Sequence, residues 1–593
     1  MSDRRQGQGR GPGQGSGHGF GQGGRSGAGR GRGQDGSNDG GRGGSRRGQG
    51  TPRDGGHRGA NGRGQGGSRR GPRDDRREDR RDAQGRTRNR GRSGAGKHYS
   101  AAAPSRRARQ ADPARAVAFD VVRAVHQDDS YANLVLPQRI HARRLDRRDA
   151  GFATELTYGT LRGIGLYDAI LAECVDRPLQ DLDAPVRDAL RLGAHQLLGM
   201  RVPAHAALDA TVALVREKIG AGPSGFVNAV LRRVSETDRD EWLDRIAPDD
   251  GSEASQAVRH SHPAWIVRGL RQALVSHGAD AAELTDLLEA DNAAPVVNLV
   301  ALPGLGDIAP VLEAGAEPSP IGPDAALHAG GDAARLPGVR DGVVRVQDVG
   351  SQLTARALAA APLAGRGHDD GPVASGASAH PGTQTEDWLD LCAGPGGKAA
   401  LLAALAAGRG AHLLANEVAE HRADLVRGAL TAVPQQAWTV RAGDGRRIAE
   451  APEAAPGFDR ILVDAPCTGL GALRRRPESR WRRTPADLAV LTDLQAELLD
   501  AAVAVLAPGG VLAYVTCSPH PAETVVQVDD LLRRRPELEQ LDAAAVLQSV
   551  AVGDLDLPDR KTAQLWPHRH GTDAMFLALF RRPPAALTSG AHR

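Results

Sequence analysis

At 593 residues the chain is long enough for about three domains and a sizeable core. Its four cysteines, Cys174, Cys392, Cys467 and Cys517, show no disulfide framework or CxxC metal spacing, and no apolar run forms a secretory leader or nears the roughly 18 residues of a membrane helix. A secreted scaffold, a metal ribbon and a membrane protein are therefore set aside for a soluble, cytoplasmic chain. The net charge of +4 hides a division, because the first 100 residues hold 23 Arg and one Lys against nine acids, which is +15 there and −11 on the remainder.

Residues 1–112 are rich in Gly, Arg, Gln and Ser, and the first 100 contain no Leu, Ile or Val. Such a segment cannot bury enough apolar surface to offset its ordering entropy, so a disordered tail is expected. Its Arg-Gly units suit RNA phosphates and stacking on bases. At Asp112-Pro113 the composition changes: Asp112 can cap a helix with Pro113 at its first position. Val117, Val121 and Val125, then Val186, Leu190, Ala194 and Leu197, recur at helical spacing, and 113–245 reads as an all-α domain. Within it Gly225 to Arg233 is a short apolar helix whose Arg232 and Arg233 either meet RNA or complement the helix C-terminus. Residues 258–345 read as a small α+β connector. A helix runs from Gln347 to about Ala361, and the polar insertion 364–386 is expected as a mobile surface loop. Beyond it, short apolar strands at Trp388–Leu391, Ala411–Ala415, Arg460–Val463 and Val511–Val515 alternate with helices. This implies a Rossmann-like, doubly wound α/β domain over 346–583, with its sites at the strand C-terminal ends.

The chemistry-bearing motifs follow those strands. Asp390 opens a glycine turn, Cys392-Ala393-Gly394-Pro395-Gly396-Gly397-Lys398, which lets backbone approach a ligand and leads into a helix N-terminus. Its spacing is neither GxGxxG nor a phosphate-binding GK[ST]. Glu417 ends the next strand, where an acid suits ribose hydroxyls, and Asp444 follows a third, where it suits an adenine amino group. An acidic clamp without a phosphate site points to S-adenosylmethionine. Asp464-Ala465-Pro466-Cys467 and Thr516-Cys517-Ser518 then put two thiols across one cleft. C5 of a pyrimidine is too weak a nucleophile to attack a methyl sulfonium unaided, but a thiolate adding to C6 makes it an enamine. Asp464 suits the proton or hydrogen bond that N3 must gain. On residues alone, either Cys467 or Cys517 could be the nucleophile. Arg474, Arg475, Arg476, Arg480, Arg482 and Arg483 follow with Trp481 among them and suit phosphates around an extruded base.

With these motifs, residues 346–582 resemble the RNA cytosine-C5 methyltransferase family of NOL1/NOP2/Sun type. The helical region, through Asp149 to Leu156, Tyr158-Gly159 and Gly225 to Arg233, resembles the NusB-like RNA-binding domain that precedes it in bacterial small-subunit (16S) rRNA methyltransferases. The resemblance implies Cys517 as nucleophile, Cys467 as the thiol assisting release, and S-adenosylmethionine held by Cys392 through Lys398, Glu417, Asp444 and Asp464. It also implies that Pro567 to Phe576 closes the sheet beside the site. Gly394 stands where that family usually has Ala, and Asn298-Leu299-Val300 lacks its usual arginine. The expectation is a monomeric rRNA cytosine-C5 methyltransferase without a metal or membrane partner. The same chemistry on tRNA, or a non-catalytic RNA-binding assembly factor, are the alternatives.

Overall fold

The computed structural model describes residues 111–364 and 385–584. The expected tail up to residue 110 and nearly all of the insertion lie outside the described residues. Asp112 accepts from Arg115 N (3.0 Å) and Pro113 occupies the first turn, so the helix Pro113–Gln127 starts where the composition changes. Six more helices, Ala132–Arg143, Arg147–Arg162, Ile164–Glu173, Ala184–Leu198, Ala204–Lys218 and Ser224–Val234, share with it a core that includes Val121, Leu156, Ile170, Leu190 and Leu231. Gly159 is needed there, since a Cβ on it would lie 2.0 Å from His195 Nε2.

Helices Ala264–Ser276 and Leu284–Asn292 lead into a small antiparallel sheet built from β1 (Val297–Ala301), β2 (Glu317–Pro318), β3 (Ala325–His328) and β4 (Val344–Val346), in the order β2-β3-β1-β4. After the helix Val349–Ala360 come β5 (Asp387–Asp390), β6 (His412–Glu417), β7 (Trp438–Ala442), β8 (Phe458–Asp464), β9 (Leu506–Thr516), β10 (Glu539–Leu541), β11 (Ala563–Gln564) and β12 (Phe576–Arg581). The large sheet runs β10-β12-β9-β8-β5-β6-β7, with β11 also on β12. Strands β7 to β9 along this path are parallel, and β12 closes antiparallel on β9. Chain order reverses at β5, between β6 on one side and β8 on the other, so the crevice lies at the carboxyl ends of these strands. Pro567–His570 is a helical turn between β11 and β12.

Four arginines of the segment, Arg474, Arg475, Arg480 and Arg482, depart from the expected phosphate grip. Arg480 is fully buried and donates to Ser261 O (3.1 Å) and Asn292 Oδ1 (2.8 Å). Arg482 donates to Val125 O (2.7 Å) and Ser130 O (2.6 Å) in the helical region, where neighbouring Glu478 accepts from Ala132 N (3.0 Å). Arg474 and Arg475 pair with Asp348 and Asp573. Arg476, which is exposed, and Arg482 stand over the Tyr131 ring, each 5.1 Å from its centroid. A guanidinium taken out of water needs fixed acceptors, and here carbonyls and acids from distant parts of the chain supply them. The segment clamps the helical region and the connector to the catalytic sheet.

Candidate active site

Adjacent strands β8 and β9 fix the thiols. Asp464 pairs in register with Val515, and each chain then turns out of the sheet, bringing Cys467 Sγ within 3.4 Å of Cys517 Sγ. The loop after Cys467 is stitched down by Gly471 N donating to Cys517 O (2.8 Å) and Ala574 N donating to Gly471 O (2.9 Å). No side chain fits at Gly471, because a Cβ would lie 2.3 Å from Ala574 O. Both thiols are partly exposed. The Cys467 thiol is pushed well above its ordinary range, first by its hydrogen bond to Cys517 and then by burial and by the charges of Cys517 and Glu523. Either sulfur can be the donor in this contact.

Lys398, expected with the cofactor loop, also reaches Asp464 at the end of β8. It sits in the first turn of the helix Gly397–Ala407 and donates from Nζ to Asp464 Oδ2 (2.9 Å). Burial pulls its ammonium down, but Asp464, with Cys517 and Asp390 nearby, outweighs this and the net shift is upward. The four groups Lys398, Asp464, Cys467 and Cys517 thus lie together at the ends of β5, β8 and β9. Beneath the loop, Asp390 is fully buried, and burial followed by the charge of Asp464 raises it to about 8, so it is a neutral acid at pH 7. Burial also drives the Cys392 thiol well up, which leaves it an inert packing group.

On the other side of β5 the loop is shaped for close approach. Gly396 has φ +109, and a Cβ on it would lie 2.5 Å from Ala429 Cβ. Gly394 matters here, because the space of its missing Cβ holds the Glu417 carboxylate, which accepts from Gly394 N (3.0 Å) and Ala419 N (3.2 Å). Glu417 is 3% exposed and pairs with Arg422 at 3.4 Å. Asp444 caps Arg446 N (3.0 Å) and is bracketed by the Arg446 guanidinium, whose hydrogen bonds draw its carboxyl down. A glycine turn, a helix N-terminus and the buried Glu417 carboxylate fit a nucleoside such as that of S-adenosylmethionine, with Arg422 held on Gly394 O (2.9 Å) and Glu417. Asp444 fits less simply, since Arg446 already occupies it.

Residues that the sequence did not single out hold the thiols. Glu523, fully buried, accepts from Thr468 N (2.7 Å), Thr468 Oγ1 (2.5 Å) and Gln495 Nε2 (3.2 Å). Gln495 also donates to Pro466 O (2.9 Å). From the connector, His277 Nε2–H donates to Pro519 O (3.0 Å). The only cue in the sequence is that Glu523 follows the Thr-Cys-Ser motif closely.

Residues 380–581 match the family model described as 16S rRNA methyltransferase RsmB/F, and residues 112–236 match that of the NusB family. A Mycobacterium tuberculosis (strain CDC 1551 / Oshkosh) protein, provisionally named a methyltransferase, is 47% identical over 481 residues, covering 80% of this chain and 98% of its own. Ribosomal RNA small subunit methyltransferase B of Salmonella arizonae is 31% identical over 469 residues, 77% of this chain and 96% of its own. The crystal structure of a protein named PH0851 superposes with a TM-score of 0.63 at 20% identity, over 79% of this chain and 99% of its own, and shares the fold.

Proposed function

Since the chain belongs to the RsmB/F family of 16S rRNA methyltransferases, we propose that this RNA methyltransferase modifies C5 of a cytosine in small-subunit rRNA through a covalent bond between Cys517 and C6. The observation that carries the reading is the 3.4 Å pairing of two strand-end thiols beside the Lys398–Asp464 ion pair. Cys517 Sγ, as thiolate, adds to C6 while N3 gains a proton or hydrogen bond from the Asp464–Lys398 pair, and the ring electrons move to C5. S-adenosylmethionine would be held by the loop from Cys392 to Lys398 with Glu417 and Asp444; it would supply the electrophilic methyl group that C5 takes, its S–CH3 bond pair staying on sulfur as S-adenosylhomocysteine. With Cys517 tied up in the C6–S bond, Cys467 gives its proton to water. Cys467 then takes the C5 proton, the C5–H electron pair forms the C5–C6 double bond, and the C6–S bond breaks with its pair on Cys517 while N3 returns its proton. The net product is one proton per methyl group transferred.

The test is a denaturing gel of Cys467→Ala and Cys517→Ala incubated with small-subunit rRNA and S-adenosylmethionine. Cys467→Ala alone should shift to a covalent RNA adduct. An adduct only with Cys517→Ala would reverse the two roles. No adduct in either variant, with no methylation by the wild type, would point to tRNA, the next substrate to try, or to a non-catalytic factor.

A further inference from the structure

We propose that Glu523 is a positioning residue that holds the Cys467 loop in register with Cys517 and so controls the release half of the reaction; this rests on Cys517 as nucleophile and Cys467 as release thiol. Glu523 sits in the short turn Pro521–Glu523 beyond β9, with no exposed surface, and its side-chain hydrogen bonds go to Thr468 and Gln495. It ties down the residues beside Cys467. One oxygen accepts from Thr468 N (2.7 Å) and Gln495 Nε2 (3.2 Å), and the other accepts from Thr468 Oγ1 (2.5 Å). Gln495 also reaches Pro466 O (2.9 Å), so the residues on both sides of Cys467 are anchored to one carboxylate and its amide partner.

The link extends to the second thiol. A carboxylate only accepts, so Thr468 Oγ1 must spend its proton on Glu523. Ser518 Oγ, next to Cys517 and 3.1 Å from Thr468 Oγ1, then has to donate. Ser518 Oγ in turn accepts from His520 N (3.3 Å). The hydrogen-bond direction from Ser518 through Thr468 to Glu523 is therefore imposed by the carboxylate. Tyr514 OH, donating to Glu523 O (2.6 Å), fixes the turn itself. The Glu523 charge is also among the causes that keep the proton on Cys467.

Glu523→Gln keeps the shape and the bond to Thr468 N but presents a donor to Thr468 Oγ1, which reverses the chain to Ser518. Misplacing a reacting group by about 1 Å costs on the order of a hundredfold, so kcat should fall by about that factor, with KM for RNA and S-adenosylmethionine within about threefold. The decisive readout is the fraction of chain in an adduct stable to denaturation. Addition proceeds and release slows, so Glu523→Gln should accumulate the adduct as Cys467→Ala does. A loss of activity that raises KM without accumulating adduct, or wild-type turnover, would overturn the inference. If Glu523→Gln does not fold, Thr468→Val, which removes only the hydroxyl link, is judged on the same readout. An adduct in Cys467→Ala but in neither of these overturns the positioning role alone. No adduct in Cys467→Ala overturns the reading beneath it, and the inference with it.

Discussion

Asp464 and Lys398 form an ion pair at 2.9 Å. Their ion pair lies on the thiol side of β5, whereas Glu417 and Asp444 lie on the other. Asp464→Asn should therefore lower the single-turnover methyl transfer rate by about a hundredfold or more, while the Kd for S-adenosylmethionine, measured by calorimetry, stays within about threefold. A comparable loss of cofactor affinity would place Asp464 in the binding half. Gly396→Ala should do the reverse. At φ +109 with Ala429 Cβ 2.5 Å away, the added methyl group both strains the backbone and clashes, costing at least about 1 kcal/mol, and it should weaken cofactor binding before it affects any RNA measurement.

At the scale of elements, the helix Ala264–Ser276 is latched to the Cys517 loop by His277, which packs on Trp566 and Phe576. Burial depresses its imidazole to about 4, against which the bond to Pro519 O pushes only weakly. Between about 4 and the unfolded value near 6.5 the unfolded chain binds the extra proton, so stability from His277 is fully present above about 6.5 and drains away as the pH falls to about 4. The difference is worth roughly 3 kcal/mol, and thermal unfolding of His277→Gln should show a flatter pH dependence than the wild type over that window. An unchanged slope would mean the imidazole is not held neutral. The strands were legible because runs such as Ile461-Leu462-Val463 are apolar throughout, as parallel buried strands are, and Cys467 and Cys517 were legible because each lies within a few residues of the end of such a run. The direction of Lys398 was not, since a lysine ending a glycine loop reads equally as a ligand contact, and only the rotation of its helix decides. Glu523 was hidden for another reason. In His520-Pro521-Ala522-Glu523 it looks like a surface acid, and its burial depends on Gln495 of the helix Pro485–Ala504 arriving from elsewhere in the sequence.

For the whole molecule, Arg474, Arg475, Arg480 and Arg482 join the parts rather than reach outward. Arg482→Gln strips the donors from Val125 O and Ser130 O, and leaving buried carbonyls without partners costs about 1–3 kcal/mol. We expect a melting temperature lower by roughly 2–4 °C, with the helical region released first in limited proteolysis. The sequence showed the density of charge in this segment but could not show the acids and carbonyls waiting for it at Asp348, Asp573, Asn292 and Ser130. Counted in ions, the clamp has a further consequence. Were Arg474, Arg475, Arg480 and Arg482 on phosphates, they would steepen the slope of log K against log salt by about three. Already matched inside the protein, they would shed no counterions on an RNA. Arg482→Gln should then leave that slope where it was, which a salt titration of RNA binding checks.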